Sequence, residues 1–431
     1  MVVEQLALST VAAIGNRPRL AAAMFRFTAW GNPFAEERFT YPYPMYERMR
    51  SAGPVVYNRT YRQWFVFGYD EVHDVLRSPD TATSPIGDLL LSTRRYKRLS
   101  PSARLNFSRW LVTNDPPDHT RLRATVSRAF APRQIAGYEP LVANVVDELL
   151  SALATSGEVD VVTTFTNQLP IQAIAELLGL PSDDRAWLVD ASRELGGMLD
   201  PMNLFDPVSM SARFAELDDY FTSIVDHRRS HPGNDLVSAL AADHGDGPAL
   251  DRDEIVAMIA FLLFAGHETV TGMLGNALVA LARFTDQREL LRRRPDLIGN
   301  AVEELLRFDS SAQVTARQAT ADLTIGGATI RKGDNIALML GAANRDKRRW
   351  ADADELRLDR LDPKPITFGF GAHHCLGATL ARMQLQRALP PLLDRLGDYS
   401  VDLRRATWNR SFTLRGPRSL PVTIPLASVP R

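Results

Sequence analysis

The chain predicts a mainly α-helical fold with small β-sheets, and three observations carry that expectation. A proline-free stretch, Asp251–Phe284, has the makings of one very long helix. From Asp118 to about Arg307 the residue pattern is helical, with Pro132, Gly137, Gly157 and Pro181 punctuating the joins. Strand-like segments are short and gather in three places: mainly 50–70, 312–340 and 400–425. With no internal repeat, low-complexity tract or Ser/Gly-rich linker, the reading is a single domain over 1–431, its helical body at 110–310 and 376–395.

In order along the chain, Val55–Leu76 reads as two short strands around a polar turn, followed by a helix starting near Tyr69. Helices then continue to about Arg307, separated by loops at Asp200–Pro207 and Asp243–Pro248. Gln313–Ala319, Leu323–Ile325 and Asn335–Met339 are strand-like, joined by Gly326-Gly327 and Lys332-Gly333. A last helix follows Cys375, and a final strand pair surrounds Arg415-Gly416-Pro417.

Composition excludes several classes of function. The 431 residues carry 50 Lys+Arg against 51 Asp+Glu, a formal charge of −1, so no chain-wide electrostatic attraction to nucleic acid or anionic membrane exists. Hydrophobic residues at 45% and charged residues at 23% are ordinary globular values and exclude disorder. Cys375 is the only cysteine, so no intramolecular disulfide can form and a reducing cytoplasm is the expected location. A spanning helix needs about 20 apolar residues. The stretch Gln5–Asn16 meets Arg17, Arg19 and Arg26 before reaching that length, and Glu4 stands where a signal peptide would be basic. No transmembrane anchor is expected; an amphipathic surface helix is the remaining membrane-facing reading of that stretch.

The long helix poses the first chemical question. At 1.5 Å per residue it would span roughly 51 Å, against a radius of gyration of about 22 Å for a compact chain of this size. It must therefore cross the molecule. Ile255–Gly266 is apolar on every face, the pattern of a helix buried all round. Yet Gly266-His267-Glu268-Thr269 comes midway, and a lone buried carboxylate is costly. Two readings stand: the helix emerges at the surface with Glu268 solvated, or it breaks locally over a buried cavity. In the second, Glu268 and Thr269 form a hydroxyl–carboxylate pair able to pass protons to a reacting group.

Cys375 poses the second. It lies in Phe368-Gly369-Phe370-Gly371-Ala372-His373-His374-Cys375-Leu376-Gly377, and three glycines there permit positive φ and close backbone approach. A good helix-forming stretch follows Gly377, so the sulfur sits before a helix N-terminus, where a thiolate is favoured. A thiolate supplying one protein ligand suits a haem iron. Structural zinc lacks its other ligands, a dinucleotide loop lacks its third glycine, and a Cys–His nucleophile suffers from adjacent side chains that diverge. An inert buried cysteine remains the bland alternative.

These residues closely resemble the cytochrome P450 family, in its soluble bacterial form, over nearly the whole chain. The cysteine loop matches F-G-x-G-x-H-x-C-x-G at Phe368, Gly369, Gly371, His373, Cys375 and Gly377. The long helix matches A-G-x-E-T at Ala265, Gly266, Glu268 and Thr269, and E-x-x-R appears as Glu304 and Arg307. E-x-x-R alone is weak; three motifs in order are specific. The resemblance implies a cytochrome P450 fold, with the long central helix over a buried haem b (iron protoporphyrin IX). It implies Cys375 as axial thiolate, Phe368 beside its sulfur, and Gly377 where the loop approaches the cofactor. His119, Arg123, Arg317 and His373 would meet the haem propionates; Glu304, Arg307 and Arg360 would be structural. Lys347, where the family often has proline, and the extra His374 are modest departures.

The function implied is a monooxygenase that oxidises a lipophilic small molecule with O2. Glu268 and Thr269 would act as proton relay, and electrons would come from a separate ferredoxin and NAD(P)H ferredoxin reductase. A hydrogen-peroxide-driven peroxygenase and a non-catalytic haem or ligand binder are the alternatives. Lys347-Arg348-Arg349 and Arg382 are a candidate basic patch for the electron donor, with a solvated charge run as the plainer reading. By the same resemblance, substrate would meet Phe261, Phe264, Ala265, Ala312, Gln313, Thr413 and Leu414, within a pocket also drawing on Thr81–Trp110 and part of Asp200–Phe221. That mostly apolar lining suits an apolar ligand: a fatty acid, a terpenoid or steroid, or a polyketide.

Overall fold

The structure, a computed structural model, describes residues 36–59, 61–92, 96–199, 207–242 and 250–425, without the side chains of 98 and 207–213. The N-terminal stretch Gln5–Asn16, the loop at Asp243–Pro248 and all but the last residue of Asp200–Pro207 lie outside those residues.

The long helix forms as Arg252–Arg283, about 48 Å of rise. Its start is fixed by a reciprocal cap: Asp251 Oδ1 accepts from the Glu254 N–H at 2.7 Å, and Glu254 Oε2 accepts from the Asp251 N–H at 3.0 Å. The helix runs unbroken through Gly266-His267-Glu268-Thr269, so the expected local break is absent. Gly266 serves packing instead. A Cβ there would stand 3.0 Å from Ile174, so its absence lets the Gln168–Leu178 helix approach closely. Further along, a Cβ on Gly272 would stand 2.8 Å from the Arg415 carbonyl and one on Gly275 2.5 Å from Pro417, which seats the 409–417 segment against the helix.

The central helix is long and apolar enough to cross a membrane, but 72% of its most apolar window is buried within the fold. It is the only such helix among the described residues. Two large apolar clusters enclose it, one around its first half, the other joining its second half to Ile298–Phe308 and Ala378–Leu396.

Among the described residues, the β structure forms four small sheets. Val55–Asn58 and Gln63–Val66 form the expected hairpin, and Tyr69–Arg77 the expected helix. Gln63–Val66 pairs in parallel with Asn335–Leu338, which pairs antiparallel with Thr315–Ala319, and Thr81–Ala82 closes this five-stranded sheet. Leu323–Ile325 turns through Gly326-Gly327 to pair with Ala328–Ile330. Two features depart from the sequence reading. Gly157–Asp160, inside the expected helical body, is a strand pairing with Pro421–Ile424. The final strand pair is Thr407–Trp408 with Pro417–Ser419, so Arg415 and Gly416 lie between the strands while Pro417 opens the second.

Candidate active site

Cys375 is held by its own loop. Its N–H donates to the Phe368 carbonyl at 2.8 Å, the His374 N–H to the Gly371 carbonyl at 3.1 Å, and the Gly369 N–H to the Ile366 carbonyl at 2.9 Å. Gly369 and Gly371 take φ of 66° and 71°, the left-handed region that favours glycine. A Cβ at Gly371 would also stand 2.5 Å from the Leu76 carbonyl. The Ala378–Leu396 helix starts directly after Gly377, and a Cβ on that glycine meets nothing within 4 Å.

Cys375 keeps accessible surface, yet the protein packed around it pushes its thiol up. The Gly377 N–H, Arg123 and Arg382 pull the other way, favouring the thiolate, but burial wins. The Gly377 N–H at the helix start thus acts in the direction the sequence suggests, and a coordinated metal would deprotonate the thiol outright.

A cationic cradle lies beside this loop. The His119 and His373 ring centroids are 4.1 Å apart. His373 Nε2 lies 3.5 Å from Asp115 Oδ1, and Arg123 donates to the His374 carbonyl at 2.6 Å. His119 Nε2 is buried without a hydrogen-bond partner. Burial, with His373 and Arg123 nearby, lowers His119 to about 4. Arg317, in the Thr315–Ala319 strand, is 5% exposed, and burial lowers it to about 10. Its guanidinium donates to the Ala316 carbonyl, and no carboxylate pairs with Arg317 or Arg123 among the described residues. Asp115 is the acidic member. Burial would raise its carboxyl, but hydrogen bonds from His373, Ser84 and Thr83 hold it well below the usual range. Two arginines and two histidines, one of them with an orphaned ring nitrogen, against one committed carboxylate, leave a surplus of donors that suits a dianionic ligand. A haem with its two propionates fits this donor set and the adjacent thiol.

Glu268 is not solvated. Its side chain is 13% exposed, and burial raises its carboxyl above the usual range despite Arg193 and Arg418. Arg193 Nε stands 3.9 Å from Glu268 Oε1. No hydrogen bond joins Glu268 to Thr269; the Thr269 hydroxyl donates to the Ala265 carbonyl one turn back at 2.8 Å. The expected direct pair is thus two separate groups on adjacent positions.

Comparison with known proteins settles the family. The cytochrome P450 family model matches residues 57–397. The chain belongs to the cytochrome P450 family. Among its relatives, cytochrome P450 130 of Mycobacterium tuberculosis is 37% identical, over 90% of this chain and 96% of its own. A vitamin D(3) 25-hydroxylase of Pseudonocardia autotrophica is 34% identical, over 93% and 96%. The crystal structure of P450BioI in complex with hexadec-9Z-enoic acid ligated acyl carrier protein superposes with a TM-score of 0.83 at 31% identity, over 90% of this chain and 99% of that one. The fold is therefore the cytochrome P450 fold, and the family's cofactor is haem b.

In this P450, Glu304 and Arg307 are wholly buried and joined by two hydrogen bonds of 2.7 and 2.8 Å, and Arg360 donates to Glu304 at 3.0 Å. The proposed substrate residues group in two places. Phe261 and Phe264 pack on Trp110, with ring centroids at 5.7 and 6.0 Å, and Ala265 lies against the same cluster. Ala312 and Leu414 form a β-bridge, next to the Gln313 N–H that donates to the Thr413 carbonyl at 2.8 Å. Gln313 departs from expectation. Its side chain is 2% exposed, accepts from the Tyr46 hydroxyl at 2.9 Å and donates to the Ser310 carbonyl at 2.6 Å, so it is committed to the protein rather than offered to a ligand.

The Lys347-Arg348-Arg349 run is also not a free basic patch. Lys347 pairs with Asp354, Arg348 with Glu71 and Asp346, and Arg349 lies over the Tyr69 and Trp350 rings. Arg382 pairs with Glu303 and lies 4.4 Å over the Phe368 ring. Sequence reasoning missed Asp115 as the half-buried orienter of His373, although Asp115-Pro116-Pro117-Asp118-His119 placed it near. It missed Arg193 entirely, because no spacing relates that residue to Glu268.

Proposed function

We propose that this cytochrome P450 is a haem-thiolate monooxygenase that hydroxylates or otherwise oxidises a lipophilic small molecule, using O2 and electrons from a separate ferredoxin and its reductase. The observation that carries this is the convergence of His119, whose buried Nε2 has no partner, with Arg123, Arg317 and His373, of which neither arginine is paired with a carboxylate among the described residues, beside the Cys375 loop. Cys375 would supply the thiolate ligand and Phe368 would cover it, while His119, Arg123, Arg317 and His373 would hold the propionates and the bare Gly377 would allow close approach. Haem would supply the redox chemistry of O2 activation; the overall reaction consumes two electrons and two protons, one oxygen atom entering the substrate and the other leaving as water.

The chain's own residues would do the rest. Glu268, with its proton affinity raised by burial, is suited to take up a proton and release it inward. The Thr269 hydroxyl, oriented by the Ala265 carbonyl, would position the proton's acceptor beside the cofactor. Phe261, Phe264, Ala265, Ala312 and Leu414 would exclude water and hold an apolar substrate, with Thr413 the remaining polar contact. A steroid-like or fatty-acyl ligand is the class favoured, since relatives named above are a vitamin D(3) hydroxylase and a P450 bound to a fatty-acyl carrier. The test is a turnover balance. With ferredoxin, reductase and NADH, steroids and long-chain fatty acids are screened first by spin-state shift. For a compound that binds, product containing one atom from labelled O2 is expected; binding without any product would refute the monooxygenase reading.

A further inference from the structure

His267 is fully buried and bridges two helices that pack closely against the central helix. Its Nε2 faces two acceptors, Asn167 Oδ1 at 2.8 Å and the Asn167 carbonyl at 3.2 Å, so Nε2 carries the proton. Nδ1 is then the acceptor for the Ser192 hydroxyl at 2.8 Å. Burial, reinforced by Arg193, lowers His267 to about 3, so the ring stays neutral. Asn167 is placed by a wide turn: the π-helical segment Val162–Thr166 ends with the Asn167 N–H donating to the Val162 carbonyl at 3.0 Å. Such turns are costly and concentrate at functional sites.

The neighbours of this chain of hydrogen bonds give it a purpose. Ser192 precedes Arg193 on the Arg185–Gly196 helix, and His267 precedes Glu268 on the central helix. We propose that Ser192, His267 and Asn167 form a positioning latch that fixes the Arg193 guanidinium beside Glu268 and so sets the proton affinity of that carboxyl. The latch rests on the reading of Glu268 as the proton-holding group given above. Among the described residues, three charged or titratable groups face Glu268: Arg193 at 3.9 Å from the neighbouring helix, neutral His267 at 3.7 Å on its own helix, and Arg418 from the Pro417–Ser419 strand. Of the two cations, only Arg193 is carried by an element of the latch. Arg193 also lies 3.5 Å from the more exposed Asp190, so without the latch its side chain has a competing partner on the outer surface.

The sign follows directly. Arg193 lowers the Glu268 proton affinity against the upward push of burial, so loosening the latch raises it further. The experiment uses holoprotein carrying Ser192→Ala, His267→Phe, Ser192→Thr, Arg193→Gln and the Ser192→Ala/Arg193→Gln pair. Glu268 is titrated by isotope-edited infrared difference spectroscopy, with Glu268→Gln as the blank that assigns its band. Ser192→Ala and His267→Phe are expected to raise the midpoint by about 0.5–0.7 pH unit, a three- to fivefold change. Amides of residues 185–196 should exchange with solvent faster in both, Ser192→Thr should restore wild-type behaviour, and Ser192→Ala should add nothing once Arg193 is Gln. If His267→Phe does not fold, Ser192→Ala removes a single hydrogen bond and carries the test. An unmoved midpoint, or a Ser192→Ala shift that persists in full with Arg193→Gln, overturns the latch. If the midpoint moves as expected while Glu268→Gln leaves peroxide release during NADH-driven O2 reduction unchanged, the latch stands and the catalytic reading of Glu268 falls.

Discussion

Glu304→Gln is the perturbation whose cost can be worked most fully from the structure. The Glu304 carboxylate accepts four hydrogen bonds: from Arg307 Nε and Nη2 at 2.7 and 2.8 Å, from Arg360 Nε at 3.0 Å and from the Arg357 backbone N–H at 3.0 Å. Glu304 and Arg307 are wholly buried, and the Arg360 side chain is 8% exposed. The substitution removes the negative charge and replaces one acceptor oxygen with a donor aimed at guanidinium or backbone N–H groups. Breaking a buried ion pair from one side costs about 3–5 kcal/mol, against a total stability of about 5–15 kcal/mol for a folded domain. The loss reaches the cysteine loop. Arg307 also donates to the carbonyls of Asn344, Ala353 and Glu355; Asn344 in turn accepts from the Ile366 N–H and donates to Thr367, just before Phe368. Equilibrium unfolding in urea, followed by far-UV dichroism and by haem absorbance, should show Glu304→Gln destabilised by that amount and releasing haem early. Arg357→Ala is the control, because Arg357 contributes only its backbone N–H to Glu304, and it should stay within about 0.5 kcal/mol of the parent. A Glu304→Gln protein within about 1 kcal/mol of the parent would refute the reasoning.

Three further outcomes are expected. Thr269→Ala should raise peroxide release and lower product per NAD(P)H consumed with little change in stability; unchanged coupling would remove Thr269 from proton handling. Gly272→Ala should destabilise the protein by about 1–3 kcal/mol, since its Cβ would stand 2.6 Å from the Ser311 hydroxyl and 2.8 Å from the Arg415 carbonyl; a gain in stability from helix propensity would contradict that. His267, lowered by burial to about 3, binds its proton more weakly folded than unfolded. Its contribution is therefore fully present above about pH 6.5 and is lost as pH falls toward 3. Between pH 6 and 4, His267→Gln should have a stability slope smaller by up to about 1.4 kcal/mol per pH unit, measured by urea titration; an identical slope would contradict burial of a neutral imidazole.

What could be read from the sequence was what rests on local pattern. The all-round apolarity of Ile255–Gly266 announced a buried crossing helix, and the glycine spacing around Cys375 announced a loop built for close approach. The i,i+3 spacing of Glu304 and Arg307 announced a pair. What stayed hidden depends on distant partners. Gly266 looked like a helix break, but Ile174 from another helix explains it without one. Gln313 looked like a polar finger in an apolar pocket until Tyr46, far away in the chain, was seen to occupy it. Arg348 looked free because Glu71 is remote in sequence. Gly157–Asp160 became a strand because Pro421–Ile424 offered an edge. The same holds for Arg193 beside Glu268.

The central claim is that Cys375 presents a thiolate to a haem iron in this fold. The most direct measurement is the visible spectrum of the purified holoprotein, reduced with dithionite and exposed to carbon monoxide, beside Cys375→Ser. A Soret band near about 450 nm in the parent, absent from Cys375→Ser, is the predicted result. A folded parent whose band stays near about 420 nm, or a Cys375→Ser protein that keeps the band near about 450 nm, would contradict the account.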